Sequence, residues 1–79
     1  MTNIVDKIKL VVIEKTGVEE AQLTASADFE ADLNIHSLEI VEILDKLEDD
    51  FNITFSKEDG LRIKTVGDLT RLVSEKVEE

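Results

Sequence analysis

Residues 37–51, Ser37-Leu38-Glu39-Ile40-Val41-Glu42-Ile43-Leu44-Asp45-Lys46-Leu47-Glu48-Asp49-Asp50-Phe51, decide how the chain folds. Ile40, Ile43, Leu44, Leu47 and Phe51 recur at helical spacing and make one apolar stripe, with Val41 to one side. Glu39, Glu42, Asp45, Glu48 and Asp49 spread over the opposite face, and Lys46 is the one basic residue of the stretch. Like charges three and four apart destabilise a helix by roughly 0.2–0.5 kcal/mol per pair. A helix that keeps several such pairs has a use for them. The spacing therefore predicts an amphipathic helix over 37–51 with an aliphatic underside and an acidic outer face.

Upstream, residues 3–16 read as a second helix, starting close to Met1. Ile4, Ile8, Val11 and Val12 share a face with Val5 at its flank, and Gly17 is the stop. Residues 17–36 form a long connection, rich in turn formers (Thr24, Ser26, Asp28) but punctuated by Leu23, Phe29, Leu33 and Ile35. A connection of that length in a small domain is often functional, and its apolar residues predict that it is pinned to the core.

Downstream, residues 52–56 read as an extended loop. Ser56-Lys57-Glu58-Asp59 reads as the cap and first turn of a short helix ending near Ile63, although Gly60 disfavours it. Thr65-Val66-Gly67-Asp68 is a capping box with Asp in place of Glu, and it opens a last helix with Leu69, Leu72, Val73 and Val77 inward. The expected fold is all-α: three main helices and one short one, a long first loop, no sheet, and a single domain over 1–79.

Composition narrows the function. The 79 residues contain no cysteine, so neither a disulfide framework nor a thiolate metal site is available. Phe29, Phe51 and Phe55 are the only aromatics. With Leu47, Ile63 and Leu72 they are expected in an otherwise aliphatic core. The formal net charge of −10 argues against nucleic acid and anionic membrane surfaces. It favours basic protein partners met through electrostatic steering. The calcium-loop pattern is absent, so no dedicated metal site is expected. Neither a membrane-spanning run nor a signal peptide is visible, and a cytoplasmic, free-standing monomer is the expectation.

Ser37 stands out within Asp32-Leu33-Asn34-Ile35-His36-Ser37-Leu38-Glu39. Taken alone, it reads most simply as the N-cap of the helix it precedes. A nucleophilic role is disfavoured, because the adjacent His36 is badly placed to activate it and no orienting acid is evident. It is suited instead to carry something covalently. It is polar, expected to be exposed, and set at the positive end of a helix dipole where a phosphate ester is favoured.

The stretch Asp32-Leu33-Asn34-Ile35-His36-Ser37-Leu38-Glu39-Ile40-Val41-Glu42 resembles the acyl carrier protein motif, usually Asp-Leu-Gly-x-Asp-Ser-Leu followed by an acidic helix. Phe29 matches the aromatic before the motif, and Leu47-Glu48-Asp49-Asp50-Phe51 is similar to the family's Leu-Glu-Glu-x-Phe. Thr65-Val66-Gly67-Asp68-Leu69 is similar to its Thr-Val-x-Asp-Leu start of the last helix. The resemblance covers nearly the whole chain. It implies that a phosphopantetheinyl transferase moves 4′-phosphopantetheine from coenzyme A onto Ser37, and that the arm then carries acyl groups as thioesters in fatty acid, lipid or secondary-metabolite synthesis. The protein itself would be non-catalytic. The resemblance also implies that Asp32, His36, Leu38, Glu39, Val41, Glu42, Asp45, Glu48 and Asp49 meet the transferase and the basic docking surfaces of enzymes that load and use the acyl group.

Some positions depart from the family pattern. His36 replaces the usual Asp before the serine and removes a negative charge the transferase ordinarily meets. Asn34 replaces the motif glycine, and it too can take a left-handed backbone. Asp45 and Lys46 occupy positions that are commonly apolar or small. Ser56 and Lys57 replace what is often Pro-Asp or Pro-Glu. These departures point to a specialised carrier with a restricted partner set. An aminoacyl or peptidyl carrier, or an unmodified acidic adaptor of the same fold, are the alternatives.

Overall fold

The computed structural model describes residues 3–77. The single-domain expectation for 1–79 and the helix start near Met1 reach Met1, Thr2, Glu78 and Glu79, which lie outside the described residues. Four α-helices follow in chain order: α1, Ile4–Thr16; α2, Ser37–Phe51; α3, Lys57–Leu61; and α4, Val66–Val77. A single 3₁₀ turn, Glu20–Gln22, interrupts the first connection. The architecture is all-α, as the periodicity predicts.

Several helix ends lie where the sequence supplies the chemistry. Asn3 caps α1 by accepting the Val5 N–H at 2.8 Å. At the other end Gly17 takes φ 80° and its N–H returns to the Ile13 carbonyl, a left-handed stop that suits a residue without Cβ. Asn52 ends α2 in the same region, at φ 55°. Thr65 and Asp68 form the capping box of α4. The Thr65 hydroxyl accepts from the Asp68 N–H at 3.1 Å, and Asp68 Oδ2 accepts the Thr65 N–H at 3.0 Å. α3 ends two residues before the expected Ile63, and Ile63 itself is buried just beyond it.

The core is aliphatic. Ile8, Val11 and Val12 of α1 pack with Ile43 and Leu47 of α2 and with Leu69, Leu72 and Val73 of α4. The connection adds Leu23, Ala27, Phe29, Leu33 and Ile35, all buried. Several residues expected inside lie at the margin. Ile4, Ile40, Leu44, Phe51 and Phe55 are half-buried against the core. Val77, expected inward, is 40% exposed because it sits at the tip of α4, one turn past the last buried residue Val73.

The connection is bonded to the start of α4 as well as buried. The Phe29 N–H donates to the Lys64 carbonyl, the Val66 N–H to Ala27, and the Gly67 N–H to Ala25 at 2.9 Å. Together they bracket an isolated antiparallel bridge, Asp28 to Thr65, a local pairing where no sheet was expected. Gly67 permits this approach, since a Cβ there would lie 2.9 Å from the Ala25 carbonyl oxygen.

Candidate functional site

The approach to α2 is a tight turn built from its own carboxylates. Asp28 Oδ1 accepts the N–H groups of Glu30 and Ala31, each at 2.9 Å, and Asp32 Oδ2 accepts the Asp28 N–H at 2.8 Å. Asn34 takes the left-handed conformation, φ 55°, that its place in the motif requires. Ile35 then turns into the core, its N–H donating to the Phe29 carbonyl at 2.7 Å. The next residue emerges at the surface as a consequence.

That residue, His36, is the N-cap of α2, with extended backbone at φ −99° and ψ 172°. Its N–H donates to Glu39 Oε1 at 3.1 Å. Ser37 is thus the first residue inside the helix, and the reading of it as the N-cap is corrected: the cap lies one residue earlier, where the His36 carbonyl already accepts the Ile40 N–H and Glu39 accepts the His36 N–H. Ser37 is exposed, as are His36 and Leu38.

An open cleft of about 510 Å³ meets α2 at Ile40. Ile40, one helical turn after Ser37, forms one wall. Phe29 and Ala31 of the connection and Leu61 and Ile63 at the end of α3 form the others. Leu61 is 86% exposed at the rim. Asp28, Glu30 and Lys64 make the mouth polar. An apolar floor with a polar rim suits an amphipathic guest.

Of the nine expected partner residues, His36 caps α2 and the other eight fall into two groups. Leu38, Val41, Glu42, Asp45 and Asp49 are exposed. At 100° per residue they span about 100° of the α2 surface, one continuous stripe. The carboxylates of Asp32, Glu39 and Glu48 have internal tasks instead: Asp32 and Glu39 hold the turn, and Glu48 Oε2 accepts the Phe55 N–H at 2.8 Å. Asp50, on the flank of α2, is bridged by Lys7 at 3.3 Å and Lys46 at 3.2 Å. Partial burial pushes its carboxyl up, but the two ammonium groups outweigh that and hold it below the ordinary aspartate range. Lys46 is correspondingly raised, chiefly by its hydrogen bond to Asp50. Lys46 therefore neutralises a flank residue and leaves the acidic stripe intact.

From the sequence, Asp59 stands out only as part of the helix start Ser56-Lys57-Glu58-Asp59. In the structure Asp59 is buried and bonded to Lys76 of α4 at 2.9 Å. The Ser-x-x-Asp spacing was the available signal for the cap. The lysine lies too far along the chain for any local pattern to reveal it. Among the described residues no group of His, Asp or Glu side chains is clustered to hold a metal ion.

Residues 6–73 match the family model described as the phosphopantetheine attachment site. The fold is similar to the acyl carrier protein of Enterococcus faecalis, with a TM-score of 0.78 and 27% identity over 92% of each chain. The chain belongs to the phosphopantetheine-binding family, as a small helical carrier domain of the acyl carrier protein type. Members of this family hold a 4′-phosphopantetheine group covalently, and such carrier domains are generally non-catalytic. The residues present fit that group. Ser37 offers an exposed hydroxyl in the first turn of a 15-residue helix, whose N-terminal N–H groups favour a phosphate, and a cleft with an apolar floor opens one turn away.

Proposed function

We propose that this chain carries acyl groups on a 4′-phosphopantetheine arm attached to Ser37, working as a monomer in the cytoplasm in fatty acid, lipid or secondary-metabolite synthesis. The observation that carries the reading is the position of Ser37: exposed, inside the first turn of α2, and one turn from Ile40 in the wall of the cleft. In loading, the Ser37 hydroxyl gives up its proton to the transferase, and its oxygen takes the phosphopantetheine phosphate from coenzyme A, whose adenosine bisphosphate part leaves. When bound, the group supplies a thiol that holds the cargo as a thioester. The chain's own residues do the rest. Asp28, Asp32 and Glu39 fix the turn that presents Ser37. Phe29, Ile40 and Ile63 offer the cargo apolar cover. The stripe of Leu38, Val41, Glu42, Asp45 and Asp49 meets basic enzyme surfaces, with charge setting orientation and on-rate.

The test is the intact mass of the protein after incubation with coenzyme A and a broad-specificity phosphopantetheinyl transferase. Wild type gains one phosphopantetheine group and Ser37→Ala gains none. His36→Asp is modified faster than wild type, because it restores the charge beside the serine. A wild-type protein left unmodified by this enzyme, and also by the transferase of its native host, is instead the acidic adaptor.

A further inference from the structure

α3 buries one residue of its own, Asp59, and Asp59 is the one charged side chain buried among the described residues. It closes the capping box of α3: its N–H donates to the Ser56 hydroxyl at 3.1 Å, and Oδ2 accepts the Ser56 N–H at 2.8 Å. The same oxygen accepts from Lys76 Nζ in the last turn of α4 at 2.9 Å. Lys76 also lies over the Phe55 ring, 5.7 Å from its centroid, an arrangement that favours a cation. The Ser56 N–H and the Lys76 ammonium hold the Asp59 carboxyl below its ordinary range, against the opposing effect of burial. A five-residue helix is too short to persist alone. One carboxylate both starts α3 and ties it to α4.

The far end of α3 is a wall of the cleft that meets α2 at Ile40, through Leu61 and then Ile63. A shift of α3 as a unit moves Asp59 against Lys76. We propose that the Asp59–Lys76 pair is a latch that sets the size of cargo the cleft admits. Short chains lie in the cleft as it stands, and longer ones need α3 to move, which the latch resists. The inference rests on the reading of the cleft as the place where cargo lies. Asp59 and Lys76 touch no cargo; they are positioning residues that act through α3.

The first measurement needs no prosthetic group. In the apo protein, Lys76→Met raises amide hydrogen exchange at Gly60, Leu61 and Arg62 by about tenfold or more, the scale of one lost charge-assisted hydrogen bond. Exchange at Val11 and Val12 of α1 changes far less, and Lys76→Arg restores the wild-type pattern. A global loss of stability would move both regions together, so the ratio isolates α3. The second measurement loads wild type and Lys76→Met with butyryl and with myristoyl groups and follows thioester cleavage by hydroxylamine. Lys76→Met slows cleavage of the myristoyl form several-fold relative to wild type and leaves the butyryl form unchanged. Unchanged exchange in α3 overturns the latch. Faster exchange with both chain lengths affected alike overturns its role in size selection. If loading with either chain leaves the Ile40 and Ile63 methyl resonances of wild type where they were, the cleft is not the cargo site, and the underlying reading fails with the latch.

Discussion

Residues 23–35 and α3 face each other across the same cleft, and they are attached to the protein by opposite means. The connection has almost no regular structure, yet it buries Leu23, Ala27, Phe29, Leu33 and Ile35 and is bonded through its backbone to residues 64–67. α3 is a regular helix whose one buried side chain is a carboxylate, while its leucine points into solvent. Anchoring here follows burial of apolar surface rather than helical geometry. One wall of the cleft is fixed by its core contacts, and the other combines the buried Ile63 just past α3 with a polar tie at Asp59.

Removing the bulkiest anchor of the connection should have the largest effect. Phe29→Ala deletes a ring that is 2% exposed and is expected to lose about 3–5 kcal/mol in urea unfolding. That is a large share of the stability of a domain this small. A loss under 1 kcal/mol would show that the connection is not held by its core contacts. Gly67→Ala tests the backbone strap instead. The added Cβ would meet the Ala25 carbonyl oxygen at 2.9 Å, so a net loss within about 1–3 kcal/mol is expected despite a propensity gain of up to about 1 kcal/mol. An increase in melting temperature would mean that the strap yields easily.

The polar side of the comparison is read by acid. The carboxyl of Asp59 is lowered in the fold by its bonds to Ser56 and Lys76, and that of Asp68 by the N–H groups of Thr65 and Lys64. A lowered folded value means that the stabilisation is complete above the ordinary aspartate value of 3.8 and is lost as pH falls through the folded value. Asp59→Asn should therefore melt below wild type at neutral pH, with the gap narrowing only below about pH 4. Thermal melts from neutral to strongly acidic pH measure this, and a gap that closes near neutrality would point to a different group. The smallest effect is expected at the tip of α3. Leu61→Ser, at a position 86% exposed, should change unfolding free energy by no more than about 0.5 kcal/mol.

The sequence was legible where physics acts locally. The α2 boundaries, the Gly17 stop, the left-handed Asn34 and the Thr65–Asp68 box all appear where short patterns place them. The exposed Ser37 was legible for the same reason, since its neighbours define a turn into a helix. What was not legible depends on contacts between distant segments. Whether Ile40 lies in the core or in a cleft wall is decided by α3. The partner of Asp59 lies on α4. The burial of Ile35 was not legible either, since it is one of five apolar residues in a connection with no periodicity to reveal which way each would point.

The one-residue shift of the cap from Ser37 to His36 has a consequence for how the molecule is used. With His36 as the cap and Glu39 reaching back to its N–H, the start of α2 is closed without calling on the oxygen of Ser37. Esterifying that oxygen removes no bond that the fold depends on. Under the proposed function, blank and charged forms keep the same cap on α2, because loading touches none of the hydrogen bonds that close it.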